Sequence, residues 1–262
     1  MQAICLHSKP EIETFLRRDT FLHIYSIGDL DNFFWQYTTW YALRDAQQEI
    51  SAIVLIYSGT PIPVLLAITE EPGDAMSELL QSISPVLPKR FHAHLSGDRA
   101  ALFANDYAIQ PYGPHYKMAL IYKDRVDAID TSNVVPLTVS DLPALQALYD
   151  VSYPANAFDP RMLETGYYYG IRQGSDIISV AGLHVYSQRY KVAALGNVTT
   201  RPDYRGQGLG TAVCAKLCQA LLRTIDHIGL NVKADNVSAI AAYKRLGFEV
   251  IAEYGEYDME GK

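Results

Sequence analysis

A chain of 262 residues is long for one compact domain and ample for two of about 130 residues each. With 49% hydrophobic and 19% charged residues it has the composition of an ordinary globular protein with ample core material. Its net charge of −7 argues against a general nucleic-acid binder, which carries a basic stripe, and favours a cationic partner.

In chain order, residues 39–44 form an aromatic strand pattern, followed by apolar runs at 50–58 and 63–68. β-Branched and aromatic runs separated by Gly, Ser, Gln or Asp turns read as antiparallel hairpins. The loop that follows, Thr69-Glu70-Glu71-Pro72-Gly73-Asp74, is acidic and precedes a helix. Two adjacent carboxylates there would repel a phosphate approaching that helix. The polar, turn-rich stretch 125–133 reads as a linker; beyond it come a short strand pattern at 134–139 and a helix start at Ser140-Asp141-Leu142-Pro143.

The second half then repeats the first. Strand patterns at 167–172, 177–187 and 192–198 follow the plan of 39–44, 50–58 and 63–68 with an offset of about 127 residues, and a helix follows each third strand. We expect two copies of one α/β plan, residues 1–130 and 131–262. Cys5, Cys214 and Cys218 supply neither a disulfide framework nor a zinc spacing, and Cys214 and Cys218, four apart on a helix, suit packing. The sequence gives no reason to expect a metal, a membrane span or an export signal, so a cytoplasmic protein is expected.

The copies differ at the loop after the third strand. In the second half it reads Arg201-Pro202-Asp203-Tyr204-Arg205-Gly206-Gln207-Gly208-Leu209-Gly210. Glycines at 206, 208 and 210 let the backbone curl and bring N–H groups close to a ligand at the start of a helix expected over 209–223. Unpaired N–H groups and the positive end of the helix dipole there suit a pyrophosphate, with Arg205 adding charge. The loop lacks the glycine spacing of a dinucleotide fingerprint and the Gly-Lys-Ser/Thr ending of a nucleoside-triphosphate loop.

Arg205, Gly208 and Gly210 match the Arg/Gln-x-x-Gly-x-Gly/Ala signature of the GCN5-related N-acetyltransferase superfamily, which the second half resembles. The approach 197–204 looks like that family's fourth strand and its turn, 230–232 like its fifth strand, and 236–248 like its next helix with the closing Gly247-Phe248. The resemblance spans about residues 134–260; the first half resembles, more weakly, the degenerate N-terminal copy of tandem members. It implies an α/β fold with a mixed α+β sheet and two tandem acyl-CoA N-acyltransferase-like domains.

For chemistry, the resemblance implies that acetyl-CoA enters a gap between the fourth and fifth strands. Its pantetheine arm would bond the backbone of Val198, Thr199 and Thr200, its phosphates would lie on Arg205, Gly206, Gln207, Gly208, Leu209, Gly210 and Thr211, and Asn236 would touch it near the pantetheine. An N–H near Asn197–Val198 would polarise the thioester carbonyl, and Tyr243 would protonate the departing thiolate. Tyr243 equally shares a helix face with Ala239 and Leu246, Asn236 is equally a helix N-cap, and Gly247 suits a C-cap. Family members often carry a glutamate on the fourth strand; here Leu195-Gly196-Asn197 stands there, leaving His184, Glu256 and Asp258 as base candidates. A water chain or no dedicated base is also open.

The acceptor pocket is expected around Phe158, Met162, Glu164 and Tyr167 to Tyr169, with the last hairpin. The expectation is an N-acetyltransferase for a small-molecule amine, with no nucleic-acid or membrane partner, as a monomer or homodimer. Its rivals are a noncatalytic acyl-CoA-binding regulatory module and an N-acyltransferase with another acyl donor, as in glycine N-acyltransferases.

Overall fold

The apolar runs of both halves fold as strands in a computed structural model that describes residues 2–70 and 73–262. The first half comprises β1 (Gln2–Cys5), α1 (Lys9–Leu16), α2 (Ile24–Gly28), α3 (Asn32–Trp35), β2 (Thr38–Arg44), β3 (Ile50–Tyr57), β4 (Val64–Ala67), α4 (Ala75–Ile83), β5 (Arg90–Leu95) and β6 (Tyr107–Leu120). The second comprises β7 (Val135–Pro136), α5 (Leu142–Ser152), β8 (Tyr169–Gln173), β9 (Asp176–Ser187), β10 (Val192–Thr200), α6 (Leu209–Leu221), β11 (His227–Lys233), α7 (Val237–Arg245) and β12 (Phe248–Gly261).

The pairing repeats strand for strand. In the first half β1, β2, β3 and β4 pair antiparallel in order, and β4 pairs β5 in parallel over Val64↔His92 to Ala67↔Leu95. In the second, β7, β8, β9 and β10 pair antiparallel, and β10 pairs β11 in parallel over Val192↔His227 to Leu195↔Leu230. Both parallel pairs need a helical crossover, which α4 and α6 provide. The mixed sheet and duplicated plan expected from the sequence are therefore found.

Two compact units emerge, and neither is one continuous stretch. Unit 1 holds the described part of residues 1–117 with Lys233–Asp235 and Ile251–Lys262; unit 2 holds Met118–Val232 and Asn236–Val250. In unit 1 the neighbour of β5 is the final strand of the chain, paired antiparallel from Gly255↔Leu95 to Glu260↔Arg90. Met76, Leu79, Leu80 and Ile83 are buried at 76, 79, 80 and 83 on α4, the spacing of one helix face. They join Leu43, Val54, Leu65 and Phe91 in the unit 1 core, each such burial contributing about 1.5–3 kcal/mol before entropy.

Unit 2 buries α6 nearly all round, including Val213, Cys214, Leu217, Cys218 and Leu221. Burial pushes the Cys214 thiol up to about 12, as expected of a packing group. The edges of elements differ from expectation for local reasons. The strand expected at 134–139 shrinks to two residues, one of them Pro136, which has no N–H to donate. The helix expected to reach 223 ends at Leu221.

Candidate active site

Three local features of unit 2 meet around the C-terminal end of β10. The first is where pairing stops. The parallel register of β10 with β11 ends at Leu195↔Leu230, so residues 196–200 and 231–233 continue beyond it. The second is a bulge. On its other side β10 pairs Gly196↔Gly182 and next Thr199↔Val180, so Asn197 and Val198 together face one residue of β9. Asn197 carries the strain, with φ at +55° in a non-glycine residue.

Asn197 is held there from several sides. Its carbonyl accepts from the Tyr149 hydroxyl at 2.9 Å, and its Nδ2 donates to Tyr168 Oη at 3.0 Å. Burial raises both phenols well above the ordinary tyrosine range, so they stay neutral donors. Phe158 packs against both rings, with centroids 5.2 Å from Tyr149 and 5.6 Å from Tyr168, and Met162 Sδ accepts from Tyr168 at 3.3 Å. Of the residues expected to shape an acceptor pocket, Phe158, Met162 and Tyr168 thus lie against the bulge. Tyr167 turns elsewhere, its ring tilted against that of Tyr186 with centroids 4.8 Å apart.

The third feature is the glycine loop. Gly206 and Gly208 take φ of +77° and +79°, and Gly208 is the N-cap of α6. The cap has no side chain, and the first intrahelical bond is Ala212 N–H to the Gly208 carbonyl at 3.0 Å. The N–H groups of Leu209, Gly210 and Thr211 precede that bond and have no helical acceptor. A Cβ built at Gly206 or Gly208 meets nothing within 4 Å, so glycine is required by conformation, and the space above the loop is open. Arg205 donates from Nε to the Thr200 carbonyl at 3.1 Å, tying the loop to the end of β10.

The base candidates separate. His184 lies on β9 with its ring against Gly196, where a Cβ would stand only 2.0–2.4 Å from ring atoms; glycine at 196 makes room for the imidazole one residue before Asn197. Glu256 and Asp258 belong to unit 1 instead. Tyr243 is buried on α7, its ring 5.9 Å from that of Phe248. Asn236 caps α7, with Oδ1 accepting from Ala239 N–H at 3.2 Å.

Sequence reasoning missed Tyr149 and Asn231. Only the spacing of Tyr149 beside Leu145 and Leu148 on one helix face hinted at burial. Asn231 stands just past the last residue of β11 that pairs with β10. Its Oδ1 and that of Asn197 are buried with no hydrogen-bond partner among the described residues. Two orphaned acceptors, freed strand backbone and an open helix N-terminus fit a ligand carrying amides and phosphates, as acyl-CoA does.

Among its described residues, unit 1 has the same strands without these features. The β3/β4 pairing shows no register shift. Ser96 stitches the ends of β4 and β5, accepting from Thr69 N–H at 3.0 Å and donating its own N–H to Ala67 at 3.3 Å. At the start of α4, Asp74 and Glu78 stand where a phosphate would meet negative charge. Glu71 and Pro72 of the acidic loop lie outside the described residues.

Comparison with known proteins agrees with this geometry. Residues 137–248 match the model of the acetyltransferase (GNAT) family. The alanine N-acetyltransferase of ribosomal protein bS18 from Escherichia coli K12 is 44% identical over 57 residues, covering 21% of this chain and 38% of that one. The matched stretches span 28% to 38% of the first curated relatives' own lengths. A GNAT-family acetyltransferase from Colwellia psychrerythraea superimposes at a TM-score of 0.59 with 14% identity, over 99% of this chain and 100% of its own. A tandem GNAT protein from the clavulanic acid biosynthesis pathway does so at 0.58 with 13% identity, over 98% and 97%. The fold of the whole chain is thus that of GNAT acetyltransferases, and residues 137–248 match the model of the acetyltransferase (GNAT) family.

Proposed function

We propose that this protein is an acyl-CoA-dependent N-acyltransferase, with acetyl-CoA as donor and a small amine as acceptor. The observation that carries the reading is the combination in unit 2 of a bulged β10 end that has left β11 with the open N-terminus of α6, which follows it in the chain. The described residues of unit 1 lack that combination, which supports one working copy in a chain of two, 1–130 and 131–262.

Acyl-CoA supplies an acyl group already activated as a thioester. The N–H groups of residues 206–211, with Arg205, would hold its phosphates, and the backbone of Val198, Thr199 and Thr200 would hold its pantetheine arm. An N–H at Asn197–Val198, released from the ladder by the bulge, would stabilise negative charge on the carbonyl oxygen. Tyr243 would give its proton to the thiolate; a phenol near 10 against a thiol near 8.5 is an uphill gap of about 2 kcal/mol in water. His184, whose ring lies against Gly196 beside the bulge, would serve as the base.

Among the described residues no helix is long and apolar enough to cross a membrane. The test is release of free CoA thiol when the full chain meets acetyl-, succinyl- and benzoyl-CoA across a panel of small amines and alanine-ended peptides. Release with acetyl-CoA and one amine class supports the proposal. Tight acyl-CoA binding with no thiol release from any pair sinks catalysis and leaves a binding module; release with peptides alone moves the acceptor to proteins.

A further inference from the structure

Strand alternation and pairing bring a second set of chemical groups together in unit 1. His92 and His94 are two apart on β5 and so share a face, and the register sets Asp258 opposite His92 and Glu256 opposite His94. Their donor atoms converge: one ligand atom each from His92, His94 and Glu256 lies within 4.8 Å of the others. His115 on β6 joins at the edge, with Nε2 3.5 Å from Glu256 Oε2.

The hydrogen bonds fix which atoms face inward. His92 Nδ1–H donates to Asp258 Oδ1 at 2.5 Å, which leaves a bare Nε2 lone pair. Asp258 is itself held by the Tyr112 hydroxyl at 2.7 Å, and Glu256 Oε1 accepts from Tyr254 at 2.7 Å. His115 Nδ1 lies 3.1 Å from the Gly113 carbonyl, an acceptor, so that nitrogen carries a proton and a neutral ring turns its other lone pair to Glu256. His94 Nε2 stands 3.5 Å from Glu256 Oε1, and its buried Nδ1 has no partner among the described residues. A separation of 3.5 Å is long for a hydrogen bond. It is close to the ligand–ligand edge of roughly 3.4 Å in a tetrahedral shell with ~2.1 Å bonds.

We propose that His92, His94 and Glu256 bind a divalent first-row transition cation, zinc foremost. Two imidazoles and a carboxylate form a borderline donor set suited to that class and ill-suited to calcium or magnesium. The Asp258–His92 pair is the outer carboxylate that orients a metal-bound histidine. Three protein ligands leave a further position open, as at zinc sites that bind water or a small ligand. The His92 side chain is 29% exposed, which gives an ion a way in. The protein's own competing cation is Lys117, buried with its ammonium over the Tyr25 and Tyr254 rings at 4.9 and 5.6 Å.

The test is titration of the chelator-stripped full chain with zinc chloride by calorimetry, and with cobalt(II) by visible absorption. We expect one ion per chain, micromolar or tighter, with the absorption of a low-coordinate nitrogen–oxygen cobalt site. His94→Ala and Glu256→Gln should weaken zinc at least about 100-fold, Asp258→Asn about tenfold, and His115→Ala less than His94→Ala. Circular dichroism checks folding, and if His94→Ala does not fold, the more exposed His92→Ala carries the comparison. Absence of binding, or unchanged binding in a His92→Ala/His94→Ala double variant, overturns the proposal. The second outcome would assign the ion to other groups such as the exposed Cys5.

Discussion

The Tyr149 hydroxyl donates to the carbonyl oxygen of Asn197 across 2.9 Å, joining α5 to the strained bulge of β10. Without that bond, a buried carbonyl at a positive-φ residue has lost a partner. Tyr149→Phe should destabilise the protein by about 1–3 kcal/mol in urea unfolding. It should also lower kcat/KM for acyl transfer, since the bulge positions the backbone N–H groups. An unchanged kcat/KM beside a measurable loss of stability would make the bond structural only.

Gly196 tests the bulge from the other face. An alanine Cβ would enter the His184 ring at 2.0–2.4 Å, so ring and strand cannot both keep their places. Gly196→Ala should cost about 1–3 kcal/mol by overpacking. If His184 acts on the acceptor amine, the variant also shifts the acidic limb of the pH–rate profile. A profile identical to the parent's would remove His184 from the reaction.

Gly208 is required by its φ of +79° and by nothing that crowds it. Gly208→Ala should lower stability by about 1 kcal/mol and raise KM for acyl-CoA several-fold, leaving kcat nearly unchanged. A fall in kcat at constant KM would contradict a role confined to holding phosphate.

Tyr243→Phe keeps the ring packed beside Phe248 and removes only the hydroxyl. The proton-donor role predicts a kcat about 100-fold lower with acyl-CoA affinity retained. Packing alone predicts no change in kcat.

Unit 1 carries a pH signature in three buried groups, His23, Asp29 and Lys117. Burial, with Lys117 nearby, lowers His23 to about 3; burial raises Asp29 to about 7, against the pull of Lys117; burial lowers Lys117 to about 8. The depressed His23 stabilises above its unfolded value of 6.5 and loses that contribution as pH falls toward 3. The raised Asp29 has the opposite sign: its contribution is full below 3.8 and is lost as pH rises through 7. The two oppose each other between these limits. Asp29→Asn should therefore make acid destabilisation between pH 6.5 and 4 steeper, by up to about 1.4 kcal/mol per pH unit. Urea midpoints across that range measure it; parallel curves for parent and variant would refute the assignment.

Much of the site was legible because its signals are local. The helix pattern of α6 and the Gly206–Gly208–Gly210 spacing are set by neighbours within one turn, so sequence alone placed the glycine loop at the start of that helix. The bulge was not legible, because nothing in Leu195-Gly196-Asn197 announces that an asparagine will sit at positive φ; that conformation depends on Tyr149 and Tyr168, 48 and 29 residues away. The base candidates failed to resolve for the same reason. Glu256 and Asp258 stood only as base candidates, and it is pairing with β5, across 166 residues at His92 and Asp258, that sets them half-buried beside histidines. Histidines at 92 and 94 were the available hint, since i and i+2 on a strand share a face.

The central claim is that one of two duplicated copies kept an acyl-CoA site. Calorimetric titration of the full chain with acetyl-CoA tests it most directly. The account predicts saturable binding of one molecule per chain, in the micromolar range, weakened in Gly208→Ala. No heat up to millimolar acetyl-CoA, or two equivalent sites per chain, would contradict it.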